Sequence, residues 1–360
     1  MSRLNQFLKG VKVLDLSQYI PGPMASLMLA DMGAEVLKIE PPGGDEMQRL
    51  GPRNAKGKPV FYQAINAGKS ARRMDLKDAA MREAFLALAR DADVLIEGFR
   101  PGVMDRLGIG WEVMHAANPG LIFCSITGFG DRSPLRTVAG HDGNYLALAG
   151  VLHRNGAAPM FFDPPIADTS GALYAASAIL GALYARRQGG RGCRIELALA
   201  DVAMPLQLFQ VADFGANGTV PGPRETYLNG GAAYYNVYAT ADRRHVMLGA
   251  VEPKFWSAFC RAADREDWIV RQTEPLPQHR LKADVQSYIG ALSLQQCIDR
   301  FGTSDCMLSP VLDLGEAMRA DHVRARGLVM RAQDGSLQAL FPARIDGEAP
   351  AIRPPLQQQQ

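Results

Sequence analysis

Residues 11–40 read VKVLDLSQYIPGPMASLMLADMGAEVLKIE, in which a strand, a helix and a second strand follow one another. The runs 11–17 and 35–40 are short and apolar with β-branched residues, which favours strands. Between them, 21–33 carries apolar residues at helical spacing and ends on Gly33. Strands that alternate with helices are typical of a parallel sheet covered on both faces.

The same alternation continues to about residue 130. Residues 79–92 predict an amphipathic helix, and 94–99 and 121–129 predict apolar strands. The sequence therefore predicts an α/β fold with a Rossmann-like large domain. The loop SQYIPGP after the first strand lacks the G-x-G-x-x-G fingerprint, and no G-x-x-x-x-G-K-[ST] loop occurs. Neither nicotinamide nor ATP chemistry is supported.

The second half changes in character. Residues 168–187, DTSGALYAASAILGALYARR, predict a helix that is apolar on most sides and therefore buried, with Asp168 and Thr169 as N-cap residues. A strand at 245–251 and helices at 253–264 and 285–301 then indicate a smaller α+β domain. The predicted segments are a first part of the large domain at 1–204, a linker at 205–235, a small domain at 236–322, and a return to the large domain with a tail at 323–360.

Composition and charge narrow the function classes. The 360 residues are enough for two domains, and 47% hydrophobic with 21% charged residues is an ordinary globular balance. The net charge of +2 gives no general case for nucleic-acid binding. We see no apolar signal region at the amino terminus and no uninterrupted apolar run of ~20 residues, so we expect neither secretion nor membrane insertion.

The cysteines and histidines indicate no metal site. The five cysteines never form C-x-x-C, and the six histidines include no H-x-x-x-H pair. Their irregular spacing fits reduced thiols in a cytosol, so we expect a cytoplasmic protein.

Several motifs occur in order along the chain. They are L-x-G-x-x-V-L-D-L-S, PGP and L-x-D-x-G-A-E-V-x-K-I-E between Leu8 and Glu40, then Asn66…Gly68-Lys69-Ser70, Asp75-Leu76-Lys77, ADVLIEGFRPG at 92–102, ITGFG at 126–130, GHDGNY at 140–145, LNGGAAYY at 228–235 and GAVEP at 249–253. Together they resemble the family III CoA transferases (CaiB/BaiF) and their relatives, the α-methylacyl-CoA racemases. The resemblance extends to about residue 330.

The resemblance implies an unusual architecture. Family members are interlocked homodimers in which each chain passes through its partner, and both chain ends build the large domain. The active site then lies between the large domain of one subunit and the small domain of the other. The implied substrate is an acyl-CoA, so that CoA is part of the substrate and no separate cofactor, nucleic acid or membrane is expected.

A racemase must remove the α-proton of its substrate and return a proton to the opposite face. The α-proton of a thioester is weakly acidic, so its removal requires a base within hydrogen-bond reach and stabilisation of the enolate oxygen. Inversion requires a second titratable group on the other face of the carbon. His141 is the first candidate, because an unperturbed imidazole titrates near ~6.5. A lone histidine is more often structural, but the resemblance at GHD-x-NY implies catalysis.

Asp168 and Glu252 complete the predicted catalytic set. Asp168 stands at a helix start, where backbone N–H groups could also bind an enolate oxygen. A plain N-cap is the structural alternative, while the resemblance implies proton transfer in racemases and a nucleophile in transferases. Glu252 precedes Pro253 at a second helix start, where a negative charge is favourable in itself. The resemblance places it near the histidine, which predicts an orienting hydrogen bond to His141.

Coenzyme A carries a 3′-phosphate and a pyrophosphate, so cations should line its entry. Lys38 lies near the end of the second predicted strand and Arg100 follows another, both towards the edge where open α/β sheets bind ligands. A surface salt bridge is the structural alternative for such a cation. Racemase relatives often have Arg at position 38, and Lys keeps the charge without bidentate phosphate binding. The remaining predicted CoA contacts are Met74, Asp75, Leu76, Lys77, Asp93, Val94, Gly140, Asp142, Gly143, Asn144 and Tyr145.

Three functions remain open at this point. The first is racemisation of 2-methylacyl-CoA thioesters by two-base proton transfer, an isomerase activity of lipid metabolism. The second is CoA transfer between carboxylic acids through a mixed anhydride and an aspartyl-CoA thioester on Asp168. The third is a non-catalytic CoA-binding protein. His141 and Glu252 favour the racemase, because a transferase needs the aspartate but no histidine–glutamate pair.

Overall fold

The computed structural model describes residues 2–156 and 158–359 and divides into two compact units. The large unit runs from the amino terminus to Ala149, continues over Phe162–Leu206 and includes the chain from Ala320 onward. The small unit comprises Gly150–Phe161 and Gln207–Arg319. The segment Gly150–Phe161 and the predicted linker thus belong to the small unit, which differs from the sequence-based assignment.

The elements of the described chain are as follows. The strands are β1 Lys12–Asp15, β2 Glu35–Glu40, β3 Ser70–Arg73, β4 Val94–Glu97, β5 Ile122–Thr127, β6 Cys193–Ala198, β7 Tyr235–Ala239, β8 His245–Gly249, β9 Leu308–Pro310, β10 Val329–Arg331, β11 Leu337–Ala339 and β12 Gln357–Gln358. The α-helices are α1 Pro21–Asp31, α2 Val60–Asn66, α3 Ala79–Arg90, α4 Val103–Arg106, α5 Trp111–Ala117, α6 Asp142–Leu148, α7 Ile166–Gly189, α8 Leu199–Val202, α9 Leu208–Asn217, α10 Pro253–Ala262, α11 His279–Ile289, α12 Leu294–Phe301, α13 Leu314–Arg319 and α14 Asp321–Arg326.

The large unit is built on a parallel sheet in the order β12-β3-β2-β1-β4-β5-β6. Every residue of β4 and β5 is buried, because both faces of the sheet centre are covered. On one face, Phe85 of α3 and Met114 of α5 pack against Leu95 and Phe123. The order reverses between β1 and β4, and ligands of such sheets bind outside the carboxyl ends at that point. The prediction of an α/β fold is confirmed.

Helix α7 starts and packs differently from the prediction. It begins at Ile166 after Pro165, so Asp168 lies in the first turn rather than at the N-cap. One face is buried within the large unit and includes Gly171, Ala175 and Ile179, whereas Tyr184 is 70% exposed. Within the described residues, α7 is long and apolar enough to cross a membrane by length and composition, a test that core helices of soluble proteins also pass.

The small unit contains the antiparallel sheet β7-β8-β9 and an aromatic core. Trp256, Trp268 and Phe301 each stack with Phe259. The predicted helix over 285–301 is two helices, α11 and α12, because the Ser293 hydroxyl caps the second one. The predicted linker contains α9, none of whose residues is buried.

Candidate active site

A cavity of about 410 Å³ lies at the carboxyl ends of the sheet strands in the large unit. The turn after β1 at 17–22, the turn after β4 at 98–101 and the end of β5 form much of its wall. His141 and Asp168 both line it. The sheet order alone places a ligand site here, because the strand connections diverge between β1 and β4.

His141 is held immediately before α6. Its extended backbone precedes the first turn, and its N–H donates to the Asn144 side-chain carbonyl at 3.0 Å. The imidazole is exposed to the cavity and meets the Tyr19 ring edge-on, with centroids 6.3 Å apart. Tyr19 has a φ of 65°, a left-handed conformation that is uncommon outside glycine. The turn after β1 thus presents an aromatic wall to the histidine.

One carboxylate oxygen connects the two candidate bases. Oδ1 of Asp142 accepts hydrogen bonds from the backbone N–H of Ala167 at 2.6 Å and of Asp168 at 3.1 Å. Asp142 is the first residue of α6 and follows His141 directly, whereas the two donors lie in the first turn of α7. A negative charge is favourable at that helix start. This bridge brings residues 27 positions apart in the sequence to one cavity wall.

The Asp168 carboxyl has an unusual proton affinity for an aspartate. Burial and, to a lesser extent, the charge of Asp142 raise its pKa from 3.8 to about 6, while His141 acts in the opposite direction. The side chain makes no hydrogen bond within the described residues. A carboxyl group whose pKa lies close to neutrality can both give and take a proton.

Tyr145 fixes the backbone around His141. Its hydroxyl donates to the carbonyl of Gly140 at 2.6 Å, and its ring packs edge-on against Phe129. A Cβ on Gly140 or Gly128 would lie 2.8 Å from the tyrosine ring or hydroxyl. Both positions therefore need glycine for this close approach.

The structure corrects the expectation about oxyanion donors. The amides of Ala167 and Asp168 at the start of α7 are already used by Asp142, so they are not free for an enolate. The N–H groups of Asp142 and Gly143, next to His141, have no acceptor in the described parts of the chain. Their position makes them the better donors towards the cavity.

A second cavity of about 390 Å³ adjoins the first and contains the predicted segment Met74, Asp75, Leu76 and Lys77. Pro41, Pro42 and Val103 add to its largely apolar lining. Gln18 and Phe99 line both cavities, which therefore share a wall.

Lys38 lies in the interior rather than at the cavity surface. It is 1% exposed, its ammonium lies 2.8 Å from an Asp45 carboxylate oxygen, and it donates to the carbonyl of Ser17 at 2.7 Å. Lys69 and Asp15 form a second buried pair beside it, with 3.3 Å between Nζ and Oδ2. A phosphate could reach Lys38 only by displacing Asp45. The lysine instead holds the Ser17 turn that lines the first cavity.

Asp93 and Val94 also differ from their predicted place. They lie at the amino end of β4, at the sheet edge opposite the cavity. Asp93 accepts from the backbone N–H of Lys12 at 2.7 Å and pairs with Arg186. Both residues therefore stabilise the sheet and α7 rather than line the ligand cavities. The remaining predicted residues, Gly143 and Asn144, occupy the first turn of α6.

Two residues of this region escaped the sequence analysis. Arg136 lines the first cavity together with Arg100, and neither has a carboxylate within 4.0 Å in the described chain. Glu97 is the last residue of β4, is 5% exposed and accepts from the N–H of Phe99 at 2.8 Å. Burial raises the pKa of Glu97 to about 7, although the bonds from Ser125 and Phe99 lower it. Glu97 could have been recognised in the sequence as a carboxyl group at the end of an apolar strand.

Glu252 belongs to the small unit. It is the N-cap residue of α10, and its backbone carbonyl accepts from the N–H groups of Phe255 and Trp256. Its exposed carboxylate has no hydrogen bond or ion pair in the described chain. The predicted contact with His141 therefore stays a prediction. No group of three or more potential metal-ligating side chains occurs within the residues described here.

Comparison with known proteins identifies the family. Residues 8–358 match CoA-transferase family III. An acetyl-CoA:oxalate CoA-transferase of Acetobacter aceti is 29% identical, over 96% of this chain and 91% of that protein. An alpha-methylacyl-CoA racemase of Homo sapiens is 30% identical, over 96% of this chain and 88% of that protein.

Solved structures agree on the fold. A CAIB/BAIF family protein from Brucella suis has a TM-score of 0.84 and 25% identity, with 97% of this chain and 96% of that chain covered. This chain belongs to CoA-transferase family III, an enzyme superfamily of transferases and racemases. The relatives include both activities, so family membership alone does not choose the reaction.

Proposed function

We propose that the protein is a racemase of 2-methylacyl-CoA thioesters. The observation that carries this proposal is the pair of titratable groups, His141 and Asp168, that line one cavity and are connected through Asp142. A reaction that moves a proton from one face of a carbon to the other needs two such groups. The pKa of Asp168, close to neutrality, suits that exchange.

The proposed proton path uses both side chains in turn. Neutral His141 takes the α-proton on one face and becomes an imidazolium, and the electron pair moves onto the thioester oxygen. The protonated Asp168 carboxyl then delivers its proton to the opposite face and becomes a carboxylate. The reverse direction starts from the imidazolium and the carboxylate. The free N–H groups of Asp142 and Gly143 stabilise the enolate oxygen.

The substrate's CoA part would occupy the second cavity and the shared wall. Apolar side chains such as Met74 and Leu76 suit a purine ring, while Arg100 and Arg136 supply charge for phosphates. The two cavities measure about 410 and 390 Å³. CoA is part of the substrate in this scheme, and the reaction needs no further cofactor. A cytoplasmic location fits this proposal and stays a prediction.

We also propose a homodimer, as the resemblance implies. Apolar side chains on α9 support it, since Phe209 is 75% and Leu208 65% exposed in the single chain. In the proposed dimer, Glu252 of one copy orients His141 of the other. Co-expressing His141→Ala and Glu252→Gln chains should restore activity, because one site of each mixed dimer then has both residues. No activity in the mixed dimer would contradict this arrangement, and light scattering after size exclusion measures the assembly.

The reaction is tested by incubating pure (R)- or (S)-2-methylacyl-CoA with the protein in D₂O. Deuterium at the α-carbon together with loss of optical purity is the expected result. His141→Ala should abolish the loss of optical purity while CoA binding is retained, because inversion needs both bases.

CoA transfer is the second candidate, because Asp168 alone could serve as its nucleophile and a transferase is among the relatives. An added carboxylic acid should then acquire CoA, and hydroxylamine should trap an acyl group at Asp168. That outcome without any deuterium incorporation would refute the racemase.

A further inference from the structure

The small unit contains a cavity of its own, of about 510 Å³. The start of α11, the strand β7 and the segment 223–225 form its walls. His279, Lys282 and Gln286 line it from one face of α11, since residues three, four and seven apart share a helix face. None of its residues lines the cavity that contains His141 and Asp168.

Two cationic side chains converge in this cavity on Gly230. The ammonium of Lys282 donates to the Gly230 carbonyl at 3.0 Å. The guanidinium Nε of Arg224 lies 3.6 Å from the position that a Cβ on Gly230 would occupy. Gly230 has a φ of 93°, so this turn depends on glycine.

Neither cation forms an ion pair in the described chain, although Glu225 also lines the cavity. Neither Arg224 nor Lys282 has a carboxylate within 4.0 Å in residues 2–156 and 158–359. The nearby Glu225 is turned towards its own loop, where it accepts from the N–H of Gly222 at 2.5 Å. The guanidinium of Arg224 makes no hydrogen bond in the described chain.

The charged form of Lys282 is disfavoured in this cavity, whereas Arg224 is exposed. Burial lowers the pKa of Lys282, and the charge of Arg224 lowers it further. Arg224 also has a φ of 61°, which L-residues rarely adopt. Like charges brought together in a concave site without a partner attract anions, because a bound anion removes the repulsion.

We propose that this cavity binds a compact oxyanion, a phosphate or a carboxylate, between Arg224 and Lys282. The planar guanidinium can donate two parallel hydrogen bonds to such a group, and the ammonium keeps donors beyond the one used by Gly230. His279 adds a titratable ring at the cavity wall. The site is independent of the racemase chemistry proposed above.

Calorimetric titration of the full-length protein tests this site, with sodium phosphate and sodium succinate as separate ligands and sodium chloride at matched ionic strength. We expect at least one oxyanion to bind. In the double variant Arg224→Gln/Lys282→Gln, its Kd should rise at least about tenfold, since a charge-assisted pair is lost. The control Arg261→Gln/Arg280→Gln removes the same charge from exposed positions of the small unit that do not line the cavity, and it should bind as the wild type does.

Several results would overturn the proposal. Equal anion affinity in the wild type and the double variant would show that the anions bind elsewhere. An equal heat response to sodium chloride would show that the signal comes from ionic screening of charges and not from a specific site. A KM for acyl-CoA that rises with the loss of phosphate binding would assign the cations to the substrate site. If the double variant does not fold, Arg224→Gln alone carries the test, because Arg224 makes no described hydrogen bond. Failure of this site leaves the proton-exchange test of the racemase unaffected.

Discussion

Replacing Asp168 with asparagine should stabilise the protein at neutral pH while it removes activity. The carboxyl group has its pKa raised from 3.8 to about 6 by burial and by Asp142. Each tenfold change in the ionisation equilibrium corresponds to about 1.4 kcal/mol, so ionising the buried group costs up to about 3 kcal/mol. Because the side chain is partly exposed, solvent screening reduces this to about 1–3 kcal/mol.

The sign of the effect follows from the raised pKa. The folded protein binds this proton more tightly than the unfolded chain, so the contribution to stability is fully present below pH 3.8. It is lost as the pH rises through about 6. Asparagine cannot ionise and loses no described hydrogen bond. Asp168→Asn should therefore exceed the wild type in stability by about 1–3 kcal/mol at pH 7.5, and the difference should shrink towards zero near pH 4.

Urea unfolding at pH 7.5 and pH 4.5 measures this difference, followed by a signal from the large unit. Asp163→Asn, at an exposed position five residues earlier, is the matched control and should change little at either pH. The racemisation rate of Asp168→Asn should fall at least about 100-fold, as for loss of a proton-transfer group. A variant that is less stable at pH 7.5, or equally stabilised at both pH values, would refute this account of the carboxyl group.

Three further substitutions test the surroundings of the site. His141→Gln should slow racemisation at least about 100-fold with unchanged CoA affinity by calorimetry. A loss of folding instead would make the histidine structural. Asp142→Ala should cost about 1–3 kcal/mol in urea unfolding, because two helix-start N–H groups lose their acceptor, whereas Asp142→Asn should cost less. Equal losses in the two variants would argue against the bridge. Glu97→Leu should raise the KM for acyl-CoA about tenfold, because the Phe99 N–H loses its acceptor at the wall shared by the two cavities. Glu97→Gln keeps an acceptor and should have a KM close to that of the wild type. A change confined to kcat would contradict this role of Glu97.

The strands that the sequence predicted well are mostly those buried on both faces of the sheet. β2 occupies the predicted residues 35–40, and β4 and β5 lie within the predicted apolar runs, because strands buried on both faces need continuous apolar sequence. Strand β6, CRIELA, was not predicted, because one of its faces is exposed and carries arginine and glutamate in place of apolar residues. Strand β3, SARR, was not predicted either, because it is short and rich in arginine and so lacks an apolar run.

The sequence predicted which residues line the candidate site better than it predicted the hydrogen bonds and ion pairs that they form. Motif resemblance found His141 and Asp168, which the structure places in one cavity. It could not show that the amides at the start of α7 are used by Asp142, because that bond spans 25 residues. It also placed Lys38 at a ligand surface, since a partner such as Asp45, seven residues further along a turn, gives no periodic signal.

The carboxylate bridge between the two helix starts has a consequence for how this enzyme can be altered. The Asp142 carboxylate joins the starts of α6 and α7, so a shift of α6 is transmitted to the backbone of Asp168. The spacing between the two groups therefore depends on the Asp142 side chain as well as on the loop that connects the helices. Attempts to widen the range of accepted acyl chains should therefore begin at walls that this bridge does not touch, such as Val138, Leu199 and Ile126.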